Sequence, residues 1–355
     1  MVLHVFEFKT NGPAPTLSGL GGTFHDSMLA AQNRLSDLGA RLMPGAMHPW
    51  MNPETETRLW PHEDNEVYRT FDRIFGCKGH GWANLQSTHL NLPFANDEEF
   101  GRLHAAIRVA LPLIPALSAA SPYVDGRGGG ALDTRMAVYR GNARRVPSVS
   151  GQIIPEPAFT RDEYQRTILA RIYADLEPHD PAGILRHEWV NARGAIARFD
   201  RGAIEIRIID AQECPAADLA VVAAVVTLVR SLSQGRLAGR DVAEDPSTES
   251  LAAVLDAAVR DGERAELSDP ALLRVLGMPS SPLALGEVWR RLLEADPLDD
   301  PAGEWTHPLG MILSEGPLAR RMLRAAGTAP TLSDLRRVAL DLCGSLVENS
   351  SFSAT

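Results

Sequence analysis

The residues best suited to chemistry are Glu205 and Arg207, carried in the run A-I-E-I-R-I-I-D at Ala203–Asp210. Side chains of a strand alternate between its two faces. Ile204, Ile206 and Ile208 therefore share one face, and Glu205 and Arg207 share the other. A carboxylate and a permanently charged, planar guanidinium side by side on a rigid sheet can address a metal ion, a phosphate or a carboxylate. An antiparallel sheet with one dry and one solvated face produces the same alternation, so this run by itself leaves both readings open.

Two further runs repeat the split. Residues 3 to 10, L-H-V-F-E-F-K-T, set Phe6 and Phe8 against Glu7 and Lys9. Residues 86 to 94, Q-S-T-H-L-N-L-P-F, set Leu90 and Leu92 against Ser87, His89 and Asn91. Each predicts a strand with an apolar face for a core and an opposite face able to hold a metal or an anion. A merely wet face is filled with interchangeable Thr, Lys, Glu and Ser. Single Glu, His, Glu and Arg positions read instead as a site. The structural rivals are a satisfied buried histidine at His89 and an ordinary ion pair between Arg207 and Glu205.

The elements that must position these residues follow from pattern and punctuation. With 355 residues, 45% of them hydrophobic and 23% charged, the chain can bury a sizeable core. A net charge of −10 argues against broad nucleic-acid binding, which draws on clustered positive charge. Cys77, Cys214 and Cys343 are odd in number and widely spaced, which is neither a disulfide framework nor a zinc motif. No leader-like segment precedes the first predicted strand, and the apolar run at 221 to 229 reads as a buried helix rather than a span. The expected location is cytoplasmic, with no membrane partner.

A helix is predicted over about 24 to 38, stopping near Gly39. Residues 43 to 66 hold four prolines and form a long structured loop that makes His48, Glu54, Glu56, His62 and Glu63 available to a site. A helix from about 97 to 117, capped by Asn96 or Asp97, is kinked or broken at Pro112 and Pro115. The glycine-rich run at 126 to 130 lacks the context of a phosphate loop and reads as a surface loop, with a lid as the alternative. Thr160 and Glu163 form a capping box that opens a helix to about 176. The segments 188 to 199 and 203 to 210 form a hairpin, which puts Asn191 and Arg193 on the partner strand. Helices follow at about 215 to 233, 248 to 261, 269 to 276, 284 to 294, 316 to 326 and 331 to 348. The missing β-α-β-α alternation argues against a doubly wound parallel sheet and predicts an α+β fold, an antiparallel sheet backed by helices.

The ordered set F-E-F-K, M-H-P-W, T-H-L-N-L, P-A-L-S-A-A-S-P, a glycine-rich loop, Y-R and I-E-I-R-I-I-D resembles the glutamate-cysteine ligase family, in its carboxylate-amine ligase branch. The resemblance covers roughly residues 4 to 235. It implies a glutamine synthetase-like fold, in which a curved antiparallel sheet forms an active-site funnel. It also implies ATP-dependent amide formation through an acyl phosphate, with Mg²⁺ or Mn²⁺. By motif position it makes Glu7, His89 and Glu205 metal ligands, and Arg207 and Arg140 the arginines facing phosphate. Lys9, Asn91, Tyr139, His48 and Arg193 then become the substrate- or nucleotide-binding set. The family's first strand carries two acidic residues spaced by one, where this chain has Glu7 and Lys9, and its H-x-H strand stands here as His89-Leu90-Asn91. Those departures leave the metal count and the substrates open.

The expected organisation is a catalytic region at 1 to 235 and a helical region at 236 to 355 packed on it as one structural unit. The expected partners are an amino acid or small carboxylate as donor and an amine as acceptor, with a homo-oligomer as the assembly. Two other function classes fit the same residues: a metal-dependent amide hydrolase using His89 and the carboxylates on water, and a noncatalytic nucleotide-binding relative.

Overall fold

The computed structural model describes residues 2–237 and 246–353; residues 238 to 245 of the expected C-terminal region lie outside them. The chain is of mixed helix and sheet, with a three-stranded antiparallel sheet at its centre. Its strands are β1 (Ser87–Pro93), β2 (Ala195–Arg198) and β3 (Ala203–Asp210), with β3 in the middle. The principal helices are α1 (Leu20–Ser36), α2 (Asn65–Phe75), α3 (Asp97–Ala110), α4 (Thr134–Tyr139), α5 (Pro215–Ser233), α6 (Thr248–Asp261), α7 (Leu285–Ala295), α8 (Thr306–Glu315), α9 (Leu318–Ala326) and α10 (Leu332–Glu348).

The isoleucine face of β3 lies against the helices. Ile204, Ile206 and Ile208 are fully buried, and each such side chain contributes about 2 kcal/mol by leaving water. Helix α5 begins with Pro215 at its first position, where no N–H is needed, and runs P-A-A-D-L-A-V-V-A-A-V-V-T-L-V. An apolar helix of this kind is stable only when covered on most sides. It packs against α1 and α3 and is the one described helix long and apolar enough to cross a bilayer, but 72% of its apolar window is buried in the fold. The main hydrophobic cluster runs from Ile107 on α3 through Val225 on α5 to Leu255 on α6 and Trp289 on α7. The Trp289 indole donates to the Leu113 carbonyl at 2.8 Å, which ties α7 to the turn after α3.

Local signals act where they stand. Asn96 accepts from the Glu99 N–H at 3.0 Å, and the helix it starts ends at Ala110, followed by a 3₁₀ turn at Leu111–Leu113 and a short helix at Pro115–Ser118. The prolines break the helix, as their missing N–H groups require. The Thr160 and Glu163 box forms, and the helix continues to Leu176 through one π turn. The glycine-rich run closes a two-residue hairpin, Tyr123–Val124 against Arg127–Gly128.

Three expectations are corrected. Residues 3 to 10 form no strand: an isolated bridge of Val2 to Leu59 precedes them, the Leu3 N–H donates to the Arg58 carbonyl at 3.0 Å, His4 Nε2 meets the Ala83 carbonyl at 2.8 Å, and Phe6 remains 53% exposed. Apolar alternation makes a strand only where a ladder partner and a core receive it, and neither meets this segment. The partner strand of β3 starts at Ala195 rather than 188, because Glu188–Val190 closes a 3₁₀ turn. Helices α2 and α8 went unforeseen, the first adjoining the proline-rich loop and the second carrying Pro308 within its first turn, where proline is tolerated.

Candidate functional site

The polar face of the sheet is assembled by register. Asn91 on β1 and Ile196 on β2 stand opposite Glu205. Leu90 pairs with Ile206 but Thr88 pairs with Ile209, so Arg207 and Ile208 together oppose the single residue His89. This is a β-bulge with the extra residue on β3. Beyond it Ser87 stands opposite Asp210, and cross-strand partners share a face. Strict alternation would send Asp210 to the isoleucine face; the bulge returns it to the side of Glu205 and Arg207. Ile208 and Ile209 are both fully buried as a result.

Glu205 is the centre of charge. Its side chain is 7% exposed; Oε1 accepts from Arg207 Nε at 2.7 Å and lies 3.6 Å from His89 Nδ1, while Oε2 lies 3.6 Å from Arg198 Nη1. Burial alone would raise this carboxyl, but Arg207, then His89 and Arg198, outweigh it and hold the group ionised below the usual range. His89 keeps 40% of its side chain open, yet both ring nitrogens are engaged, Nε2 with Ser87 Oγ at 2.9 Å. Burial first, and then the Arg207 charge, lower its pKa to about 4 against the pull of Glu205. At neutral pH the ring is uncharged, the form in which imidazole ligates a cation. Arg207 also donates from Nη1 to the Asn191 carbonyl at 3.1 Å. Tyr139 at the end of α4 lies against Arg207 and Arg135: burial raises its phenol pKa, and both guanidinium charges oppose the rise.

A second carboxylate–guanidinium pair stands beyond the bulge. Arg135 Nε donates to Asp210 Oδ1, and Arg135 Nη2 donates to the Ile208 carbonyl at 2.7 Å. Asp210 Oδ2 accepts from the Ala120 N–H at 2.7 Å and from Ser121 Oγ at 3.0 Å. Asp133 caps α4 through the Met136 N–H at 2.8 Å, and burial together with Asp210 raises its carboxyl well above the ordinary range. Sequence reading missed Arg135, Arg198 and Asp133. The signal for Asp210 lay in the I-E-I-R-I-I-D run itself, but its face depends on a bulge that only the partner strand defines.

The remaining expected residues are dispersed. Glu7 and Lys9 are exposed on the irregular N-terminal segment, and among the described residues Glu7 forms no three-ligand group with His89 and Glu205. Arg140 is paired with Asp256 on α6, which draws its guanidinium toward the helices. Arg193 is 1% exposed and bidentate to Glu156 at 2.6 and 2.7 Å; it also donates to the Ser148 carbonyl and Asn191 Oδ1. Its geometry is that of a brace between the 148 to 156 segment and the sheet, not of a ligand-facing group. His48 sits half-buried in its loop, where its backbone and Asn84 exchange hydrogen bonds at 2.7 and 3.0 Å and its Nδ1 faces the Trp50 N–H at 3.3 Å. All three cysteines are buried and unpaired.

Among the described residues no three His, Cys, Asp or Glu side chains converge as a metal-binding group. Glu205 and neutral His89 fit a narrower role. Mg²⁺ keeps several waters and takes one or two carboxylates, with substrate phosphates completing its shell. The pair therefore suits one ion shared with a phosphorylated substrate and does not suit an all-protein cage.

A family model described as glutamate-cysteine ligase family 2 matches residues 1–339 of the chain. An uncharacterized protein of Archaeoglobus fulgidus is 39% identical over 229 residues, 64% of this chain. Those residues span 61% of that curated relative's length.

Proposed function

The chain belongs to glutamate-cysteine ligase family 2, and from that premise we propose that it is an ATP-dependent carboxylate-amine ligase. The observation that supports this best is the Glu205–Arg207–His89 constellation: an ionised carboxylate, a guanidinium and a neutral imidazole on one sheet face. The reaction joins a carboxylate donor to an amine through an acyl phosphate. The donor carboxylate takes the γ-phosphoryl group of ATP, ADP leaves, the amine attacks the acyl carbon and phosphate departs as the amide forms.

Phosphoryl transfer asks little covalent help of a protein and much positioning and charge stabilisation. Glu205 and His89 would hold one Mg²⁺ or Mn²⁺, which supplies charge neutralisation to the transferring phosphoryl group. Arg207, fixed at Nε by Glu205 and at Nη1 by the Asn191 carbonyl, would offer its guanidinium charge to the phosphate. Tyr139 supports Arg207 from α4. With ATP as cosubstrate, the cytoplasm is its place.

The test is a coupled ADP-release screen over paired amino acids and amines with Mg²⁺ or Mn²⁺, with mass spectrometry of the product. ADP and phosphate that appear only when both a carboxylate and an amine are present support the proposal; AMP, or no turnover across a broad panel, sinks it. One observation favours a second reading, the noncatalytic nucleotide-binding relative: among the described residues Glu7, His89 and Glu205 form no three-ligand group. ATP binding that is unchanged by Glu205→Gln and never followed by turnover would select it.

A further inference from the structure

The segment that follows α10 is held to the fold chiefly at one residue. Asn349 ends the helix in the left-handed conformation, with φ of 50°, and its Oδ1 accepts the Ala216 N–H of α5 at 3.0 Å. Three residues on, Phe352 is 4% exposed. Its N–H donates to Glu213 Oε1 at 3.2 Å, and its carbonyl accepts from Arg321 Nη1 at 2.6 Å. The same nitrogen donates to Glu213 Oε1 at 2.6 Å, and neither charged side chain is exposed at all. A buried ion pair thus reads both main-chain groups of one residue, its carboxylate taking the N–H and its guanidinium the carbonyl. The Phe352 ring lies with Leu318 and Met322 of α9, Leu342 of α10, and Ala46, Ala120 and Tyr123 of two loops. Among the described residues, residues 351 to 353 make no hydrogen bonds beyond the two at Phe352.

Two features set this contact apart from ordinary packing. The first is its balance. Glu213 Oε2, Arg321 Nε and Arg321 Nη2 are enclosed without a protein partner. Buried charged groups with unfilled hydrogen bonds are costly, and they recover those bonds when water reaches them. Release of Phe352 exposes a ring but opens three polar atoms to hydration, so docked and released states lie closer in free energy than burial of the ring alone implies. The second feature is what the ring touches. The Ala46 carbonyl accepts the Gln86 N–H at 2.9 Å, one residue before β1. The Ala120 N–H donates to Asp210 Oδ2 at 2.7 Å, at the end of β3. Phe352 therefore packs on two loops that are hydrogen-bonded to the end of the sheet where Ser87 faces Asp210.

We propose that residues 349–353 are a releasable strap. Docked, Phe352 pins α9, α10 and both loops against that end of the sheet. Released, it frees Glu213 and Arg321 to water and loosens the two loops together. Conformational control is drawn from elements of this kind, which open locally at far less free energy than global unfolding and so keep two populated states. The strap stands or falls independently of the ligase reading, since nothing in it depends on a substrate.

The experiment is native-state hydrogen exchange of the full chain, read amide by amide from zero to low urea. Three amides report: Phe352, bonded to Glu213; Gln86, bonded to Ala46; and Ala120, bonded to Asp210. In wild type all three should exchange through one shared opening, at least about a hundredfold faster than amides in the middle of α5 and almost independently of urea, because a local opening exposes little surface. Phe352→Ala should speed Gln86 and Ala120 by about tenfold and leave α5 unchanged. A Phe352 amide as slow as those of α5, with the same urea dependence, means that the segment leaves only on global unfolding and overturns the proposal. A fast Phe352 amide with Gln86 and Ala120 as slow as α5 overturns it too, since the segment then frays alone. Should Phe352→Ala not fold, the wild-type pattern decides by itself.

Discussion

Replacing Asp218 by asparagine should stabilise the protein at neutral pH, against the usual direction of a change at a hydrogen-bonded carboxylate. Asp218 lies in the first turn of α5, where its Oδ1 accepts both the Thr88 hydroxyl at 2.6 Å and the Gln212 N–H at 3.0 Å. Burial raises its pKa from 3.8 to about 6, outweighing both hydrogen bonds. A folded-state value above the unfolded one means the folded state binds the proton more tightly. The associated stability is fully present below about pH 4 and is lost as the pH rises through about 6. At about 1.4 kcal/mol per unit the cost of the charged form is at most about 3 kcal/mol. The side chain is partly open, and the start of a helix favours a negative charge by up to about 1 kcal/mol, so about 1–2 kcal/mol remains. Asp218→Asn keeps an oxygen for both bonds and removes the charge. Urea unfolding between about pH 4 and pH 8 should show the variant more stable by about 1–2 kcal/mol at pH 7 and the two proteins converging at acid pH. A variant less stable at pH 7, or a difference that does not change with pH, would refute the reasoning.

Glu205→Gln should abolish amide formation by at least about a hundredfold in kcat while the fold survives, measured by ADP release and far-ultraviolet circular dichroism. Gly194→Ala forces a Cβ to 2.8 Å from Ile208 Cγ2 and 3.1 Å from Ile153 Cγ2, so urea unfolding should show a loss of about 1–3 kcal/mol. Because Gly194 also accepts the Arg207 N–H at 2.9 Å, the activity loss should exceed what the unfolded fraction explains. Arg193→Ala leaves Glu156 without its bidentate partner beside the sheet and should destabilise by about 3 kcal/mol in the same assay. Activity should not follow a histidine titration between about pH 5.5 and 8, because His89 is already neutral there, its pKa lowered to about 4; a kcat/KM profile with a limb near pH 6.5 that vanishes in His89→Gln would contradict this.

What the sequence disclosed and what it withheld divide along physical lines. Helix α5, the break after α3 and the Thr160 capping box are local in origin, set by apolar periodicity, proline and side-chain caps, and they stand where those signals place them. The split faces of β1 and β3 were legible for the same reason. Residues 3 to 10 carry an equally good alternation and form no strand, because a strand exists only through a partner that no local signal specifies. Arg140 shows the limit for site residues: its tyrosine neighbour reaches Arg207, while Arg140 itself is taken by Asp256 from a helix far along the chain. Arg193 drew attention as an arginine beside the right strand, yet Glu156 claims it.

The extra residue on β3 sets parity and not length. Glu205 and Asp210 sit on the same side of the sheet although five positions, an odd number, separate them. Removing Ile208 would let β3 close against β1 as a plain ladder with Glu205, Arg207 and Asp210 still on that side, so the loss would be one buried isoleucine and one bend. The separation of the two carboxylates would stay that of their partners Asn91 and Ser87, because the bulge already sets two residues of β3 against one of β1. The polar row of this sheet thus tolerates a one-residue change of length within an apolar stretch, with its parity and its span both kept.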